Sequence, residues 1–188
     1  MKIVGIAGTN GSGKDTLGEI MAQDFGWLFV SVSDLLRRQL KKQNLPIERN
    51  NLRDLSAEWR RKLGNGVLID KALEIYKNKP GFKGLAISSL RNFGEADRVH
   101  QLGGIVVWLD AEPQLRYQRI YSRRRGSEDQ KTFEQFLAEE AAERHHSTDQ
   151  ATLNWQGVKD RADIFISNDS NSMDRFGKTV QEALKDIL

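Results

Sequence analysis

The chain has 188 residues, 38% of them apolar, with 16 Gly, 3 Pro and no Cys. That composition is globular and excludes a disordered chain, a fibrous repeat, a coiled coil and a disulfide framework, while the length suits one sizeable core. Lys and Arg number 29 against 26 Asp and Glu, a net charge of +3 that marks no nucleic-acid binder, so the placement of the arginines carries more than their total.

Lys2 to Ala7 is a short β-branched apolar run closed by Gly8, the pattern of a buried strand and too short for a signal-peptide core. Leu17, Ile20 and Met21 mark one face of the helix that follows, and Trp27 to Val32 reads as a second strand. Leu52, Leu55, Trp59 and Leu63 share a helical face, and Val67 to Tyr76 continues helical beyond Gly64 and Gly66. After the breaker Pro80-Gly81, Lys83 to Ser88 predicts a third strand, and Glu95 to Leu102 a short helix ended by Gly103-Gly104. Ile105 to Leu109 predicts a fourth strand. It is also the longest apolar stretch, far below membrane-spanning length. A helix from Pro113 to about Arg124, a fifth strand from Asp163 to Ser167, and a closing helix striped by Met173, Phe176, Val180, Leu184 and Ile187 complete the chain.

Alternating strands and helices of this kind predict an α/β fold with a five-stranded parallel sheet covered on both faces. The expected organisation is a single domain over 1–188. Residues 34–80 hold a helical insertion, and about 123–160 a polar region over the active face. The three histidines, His100, His145 and His146, do not make a metal site, because an adjacent pair cannot face one ion from the same side of a helix. With no Cys and no apolar span, the expected location is cytoplasmic, with no membrane partner.

The strongest chemical signal is Gly8-Thr9-Asn10-Gly11-Ser12-Gly13-Lys14-Asp15-Thr16, set between a strand and a helix. Glycines let consecutive backbone N–H groups turn inward around phosphates. The helix start adds its positive end, and Lys14 carries a point charge to the β- and γ-oxygens. Gly8, Asn10, Gly11, Ser12, Gly13, Lys14, Asp15 and Thr16 are therefore the candidate nucleotide-binding residues. Asp15 stands where a metal-ligating Ser or Thr is usual. It either reaches a magnesium-bound water or is an acid favoured at a helix start.

The loop resembles the GxxGxGKxT form of adenylate kinase-like nucleotide and small-molecule kinases, with Thr16 displaced by one position as in that family. Val32-Ser33-Asp34-Leu35-Leu36-Arg37 is similar to their segment after the second strand. By that resemblance, Arg37 binds the acceptor's phosphate and Asp34 lies near the magnesium through water. Ile87 to Glu95 resembles the DVRFxxE segment of deoxynucleoside monophosphate kinases. This implies a substrate-binding role for Arg91 and Glu95, although the strand-end Asp is replaced by Ser88 and Ser89. Asp110 ends a strand as a metal-holding acid would, but that strand does not normally supply one in the family.

Gln114 to Arg125 resembles the helix that runs into the lid of these kinases. Arg116, Arg119 and Arg123 share one helical face, and 112–125 carries five Arg against one acid, ahead of the acidic stretch 128–143. The resemblance implies catalytic roles for Lys14, Arg119 and Arg123. Ala162 to Asp169 is similar to the ADxxIxN segment of dephospho-CoA kinases, which implies that Asn168 lies near the adenine. The expectation is a P-loop NTPase fold with a nucleoside monophosphate kinase-like acceptor insertion and lid. Its cofactors would be ATP and Mg²⁺, and its partner a small phosphorylated acceptor, with no nucleic acid. The acceptor would be a nucleoside or deoxynucleoside monophosphate. A dephospho-CoA kinase-like enzyme and a nucleotide-dependent switch or assembly ATPase are the alternatives.

Overall fold

The computed structural model describes residues 1–123, 131–144 and 149–188, with side chains for all of these except 142–144. Arg124 and Arg125 of the arginine run, residues 128–130 of the acidic stretch, and His145 and His146 lie outside the described residues.

Five strands, β1 (Lys2–Gly8), β2 (Leu28–Ser31), β3 (Gly84–Leu90), β4 (Ile105–Asp110) and β5 (Ile164–Ser167), form one parallel sheet in the order β2-β3-β1-β4-β5. β1 sits at the centre, so the chain leaves it in one direction toward β3 and β2 and returns on the other side through β4 and β5. The loop after β1 therefore opens at the point where strand order reverses, the usual place for a ligand in an open α/β sheet.

The central strands read as unbroken apolar runs because helices cover both faces. On one face lie α1 (Lys14–Phe25) and α9 (Met173–Ala183), packed through Leu17, Met21, Phe176 and Val180 against Val4, Ile6, Val107 and Leu109. The other face carries α2 (Val32–Lys42), α3 (Arg49–Leu63), α4 (Val67–Lys77), α5 (Phe93–Gln101) and the short α8 (Trp155–Lys159). There Trp108 of β4 stacks on Trp155 with ring centroids 5.4 Å apart, an aromatic pair contributing about 0.5–1.5 kcal/mol beyond its buried area. Two further helices, α6 (Pro113–Arg123) and α7 (Phe133–Arg144), stand above the strand ends.

Three differences from the sequence expectations have local causes. β2 starts after Trp27, whose fully buried ring packs under the sheet. A Cβ on Gly84 would lie 2.7 Å from that ring, so the backbone can approach only because Gly84 has no side chain. Val32 belongs to α2 rather than β2, because Ser31 already has the extended geometry of a helix N-cap. β3 runs on to Leu90 through a bulge. Ile6 pairs with Ser88 and Ala7 with Leu90, leaving Ser89 extra on its strand with φ +71°. A non-glycine residue held there costs on the order of 1 kcal/mol, and such strain is typical of sites.

Candidate functional site

Gly8 and Gly13 flank the phosphate loop with φ of +144° and +100°. A Cβ on Gly8 would lie 1.9 Å from the Leu109 carbonyl oxygen, and one on Gly13 would lie 2.7 Å from the Asn168 side chain, so no larger residue fits either position. Lys14 is buried across the loop, donating to the carbonyls of Gly8, at 3.0 Å, and Thr9. Ser12 is also fully buried and donates its hydroxyl to the Thr9 carbonyl at 2.9 Å. Its side chain is therefore committed to the loop itself. Asp110 holds the same loop from β4, accepting from the Thr9 hydroxyl at 2.6 Å and from the Ala111 N–H at 2.9 Å. It is a loop brace, not a metal-holding acid on the cavity.

The loop forms one wall of a cavity of about 430 Å³, lined on that side by Asn10, Gly11, Gly13, Lys14, Asp15 and Thr16. Asp15 accepts a 2.6 Å hydrogen bond from Ser88 Oγ at the end of β3. Asp15 and Thr16 thus supply a carboxylate and a hydroxyl on hard oxygen atoms beside the loop. Mg²⁺, which uses one or two protein carboxylates together with phosphate and water, fits that donor set.

The opposite wall is cationic. Arg37 of α2, Arg49, Arg53 and Arg60 of α3, and Arg91 all line it. Arg49, Arg53, Ser56 and Arg60 stand at i, i+4, i+7 and i+11, so they form one stripe along α3. Sequence reasoning missed this stripe. The signal was present in the spacing, but the neighbouring apolar stripe drew the assignment. Arg91 donates to the Asn10 side chain of the phosphate loop and so stands where the two walls meet. Lys131 and Glu139 close the cavity from the α7 side, and Glu139 is ion-paired with both Lys131 and Arg49.

Several expected site residues are placed differently. Glu95 is not directed at a substrate. It is fully buried, with Oε1 paired to Arg60 at 2.6 Å and Oε2 accepting the backbone N–H groups of Arg91, at 2.7 Å, and Asn92, at 3.1 Å. It completes the capping box of α5 with Asn92 and holds Arg60 in place. Asp34 does not line the cavity. Its side chain is 57% exposed and pairs with Arg37 one turn along α2 at 2.8 Å, which leaves it poorly placed for a metal's outer shell. Asn168 is 7% exposed and donates to the Ser12 carbonyl at 2.8 Å, so it braces the phosphate loop from behind rather than facing an adenine.

The helix α6 shows why its arginines differ. Arg116 is buried and makes a two-pronged ion pair with Glu140 of α7, while also donating to the carbonyls of Ala111, at 2.7 Å, and Asn10, at 3.2 Å. It ties α7 to the loop. Arg119 lines the cavity but spends its fork on the carbonyls of Asn168, at 2.9 Å, Ser170, at 2.8 Å, and Gly11, at 3.4 Å. Burial lowers the Arg119 guanidinium below its ordinary pKa, against the opposing charge of Asp169, yet an arginine remains cationic at neutral pH. Arg123 lines the cavity from the exposed end of the helix.

Residues 4–145 match the AAA domain family. A UPF0200 protein of Methanococcus maripaludis is 23% identical over 190 residues, covering 100% of this chain and 98% of the relative. Another, of Pyrococcus abyssi, is 27% identical over 193 residues, with 99% and 97% covered. Among solved structures, shikimate kinase from Bacteroides thetaiotaomicron superposes with a TM-score of 0.60 at 14% identity, covering 97% of this chain and 98% of that one. Shikimate kinase from Acinetobacter baumannii, in complex with shikimate, gives 0.55 at 18% identity over 100% and 94%. These likenesses establish the P-loop kinase fold. They support that class as a whole rather than the adenylate kinase-like monophosphate kinases in particular.

Proposed function

The chain belongs to the AAA domain family, and from that premise we propose that it is an ATP-dependent phosphotransferase whose acceptor is itself a small phosphate ester, a nucleoside or deoxynucleoside monophosphate. The observation that carries this reading is the arginine wall. Arg37, Arg49, Arg53, Arg60 and Arg91 come from three separate parts of the chain and face the phosphate loop across one cavity. Arginine suits bidentate recognition of phosphate. Arg60 is committed to Glu95, and Arg49 and Arg37 each share a carboxylate, but the wall still carries more cationic groups than acids and fits an anionic acceptor better than a neutral alcohol.

The carboxylates support the same choice. Transfer to an alcohol calls for a base, and among the described residues the acids that line the cavity are Asp15 and Glu139. Asp15 stands beside the loop lysine, and Glu139 is paired with Arg49 and Lys131. A phosphate oxygen is already ionised near neutrality and needs no base. Such an oxygen attacks the γ-phosphorus, the bond from that phosphorus to the β-bridging oxygen breaks, and ADP leaves with the electron pair. Lys14 would neutralise charge on the β- and γ-oxygens, and Arg91 would hold the acceptor phosphate in line. Arg119 and Arg123 supply positive potential from α6. Mg²⁺ brought with ATP would be held at Asp15 and Thr16, where its charge offsets that of the phosphates.

The test is a panel of nucleoside monophosphates, deoxynucleoside monophosphates and dephospho-CoA, each with ATP and Mg²⁺, following ADP and the phosphorylated product. Release of ADP that depends on a monophosphate is the expected result. Turnover with dephospho-CoA alone would move the acceptor to that class. Equal ADP release with and without every acceptor would replace the kinase reading with a nucleotide-dependent switch.

A further inference from the structure

In most phosphate loops of this kind a hydroxyl residue follows the lysine and a neighbouring strand end supplies an aspartate, and the two together hold the nucleotide's divalent cation. Here each position carries the other's chemistry. Asp15 follows Lys14, and Ser88 stands near the end of β3. An acid chosen only for a helix start would face solvent. Asp15 instead lines the cavity and accepts a 2.6 Å hydrogen bond from a fully buried hydroxyl 73 positions away.

The surroundings of that hydroxyl are polar by construction. Ser88 pairs with Ile6 on β1 and with Ser31 on β2, and residues paired across strands point to the same face of a sheet. Ser31 and Ser88 thus both face α1, at the end of the sheet where the phosphate loop begins. Ser31 Oγ is buried with no hydrogen-bond partner among the described residues. Two buried serines next to a loop aspartate provide hydroxyl oxygen where the rest of this sheet face presents Val4, Ile6 and Ala86.

We propose that the carboxylate and the hydroxyl of the divalent-cation site have exchanged places in this chain, with Asp15 on α1 supplying the carboxylate and Ser88 on β3 the hydroxyl that orients it. The inference rests on the nucleotide-binding reading above and says which residues serve the cation within it. The exchange keeps one carboxylate and one hydroxyl at the two positions, and so their total charge, with Ser88 acting through Asp15 while the hydroxyl that lines the cavity beside it is that of Thr16. It moves the anion from the strand to the helix, one residue from Lys14. A hydroxyl that donates to a carboxylate fixes its rotamer and leaves the second oxygen for the cation, the usual way a supporting residue tunes a metal site.

The experiment uses Mn²⁺ and ADP on the full chain. Mn²⁺ binding is read by electron paramagnetic resonance, and ADP affinity is measured separately in chelator. The wild-type chain should bind Mn²⁺ in the presence of ADP. Asp15→Asn should weaken that binding by about tenfold to a hundredfold while leaving ADP affinity in chelator close to the wild-type value, and Ser88→Ala should lose less. The double variant Asp15→Ser with Ser88→Asp should regain most of what Asp15→Ser loses. If burying an aspartate at position 88 prevents folding, Asp15→Asn decides alone. Mn²⁺ affinity unchanged in Asp15→Asn, or a folded double variant no better than Asp15→Ser, overturns the exchange. A wild-type chain that binds no ADP with or without metal overturns the nucleotide reading instead.

Discussion

On the phosphate-loop side of the cavity most restraints end on backbone carbonyls, with Asp110 on Thr9 and Arg91 on Asn10 as the side-chain contacts named above. Lys14, Ser12, Asn168 and, more weakly, Arg119 all donate to loop carbonyls, and glycine geometry fixes the approach of β4 and Asn168. On the arginine side they run between charged side chains far apart in sequence: Arg60 with Glu95, Arg61 with Asp149, and Arg49 with Glu139. Backbone restraints hold a fixed shape whatever side chains surround them. Ion pairs can open and re-form, so the acceptor wall is the part of the site whose geometry depends on charge balance. That division suits a fixed cradle for one substrate and an adjustable wall for another.

The largest break in this picture should come from the ion pair on the acceptor side that, among the described residues, is fully buried and so not adjustable. Arg60 and Glu95 have side chains 1% and 0% exposed, and Arg60 also donates to the Ala151 carbonyl at 3.0 Å. Arg60→Ala leaves Glu95 charged and buried, an effect of about 3–5 kcal/mol, to be read from urea denaturation. A loss below about 1 kcal/mol would mean that water reaches the pair and that it belongs with the adjustable contacts.

Next in size are two substitutions that separate the walls. Lys14→Ala should lower turnover by about 10²–10³-fold in a protein whose circular dichroism is unchanged. Arg91→Ala should raise the acceptor KM by about tenfold and leave ATP affinity nearly unaltered, the loss of roughly one charge-assisted hydrogen bond. Because Arg91 also touches Asn10, equal damage to both substrates would assign it to the loop wall.

This contrast also explains what the sequence made legible. The strand, loop and helix from Lys2 to Phe25 are contiguous, and their restraints are local, so spacing alone located them. The central strands themselves showed as apolar runs, whereas their order in the sheet depends on pairings between distant segments. The acceptor wall was legible only at Arg37 and Arg91, because the rest depends on pairings across 35 to 91 positions that no local pattern encodes. Glu95 looked like a substrate acid for the same reason: its motif was visible and its partner Arg60 was not. Asp15 and Ser88 were each visible as departures, but their hydrogen bond spans 73 residues and appears only in the folded chain.

A smaller effect should come from the exposed pair. Arg61 and Asp149 have side chains 55% and 38% exposed, and Arg61 donates twice to one carboxylate oxygen, at 2.6 and 3.0 Å. Arg61→Ala should destabilise far less than Arg60→Ala, and its effect should fade in about 1 M salt while that of Arg60→Ala persists. Thermal denaturation of both variants at low and high salt checks this. A salt-independent loss at Arg61 would show that the 149–154 segment is held as firmly as the buried pair.

The smallest expected effect lies on the loop side, where Asp169 ties the turn after β5 to the start of α6. It accepts from the Ser167 hydroxyl and, at 2.7 Å, from the Glu112 N–H next to α6. Those two hydrogen bonds, with a lesser pull from Arg119, hold its carboxyl below the ordinary aspartate value. A depressed folded-state pKa stabilises the fold above the unfolded value of about 3.9, and the contribution is lost as pH falls through the folded value. The stability difference between wild type and Asp169→Asn should therefore be constant near neutrality and shrink below about pH 4, measured as Tm across an acid series. A difference that stays constant into acid would mean that the hydrogen bonds to Asp169 do not depend on its charge, and that this wall is held by backbone geometry alone.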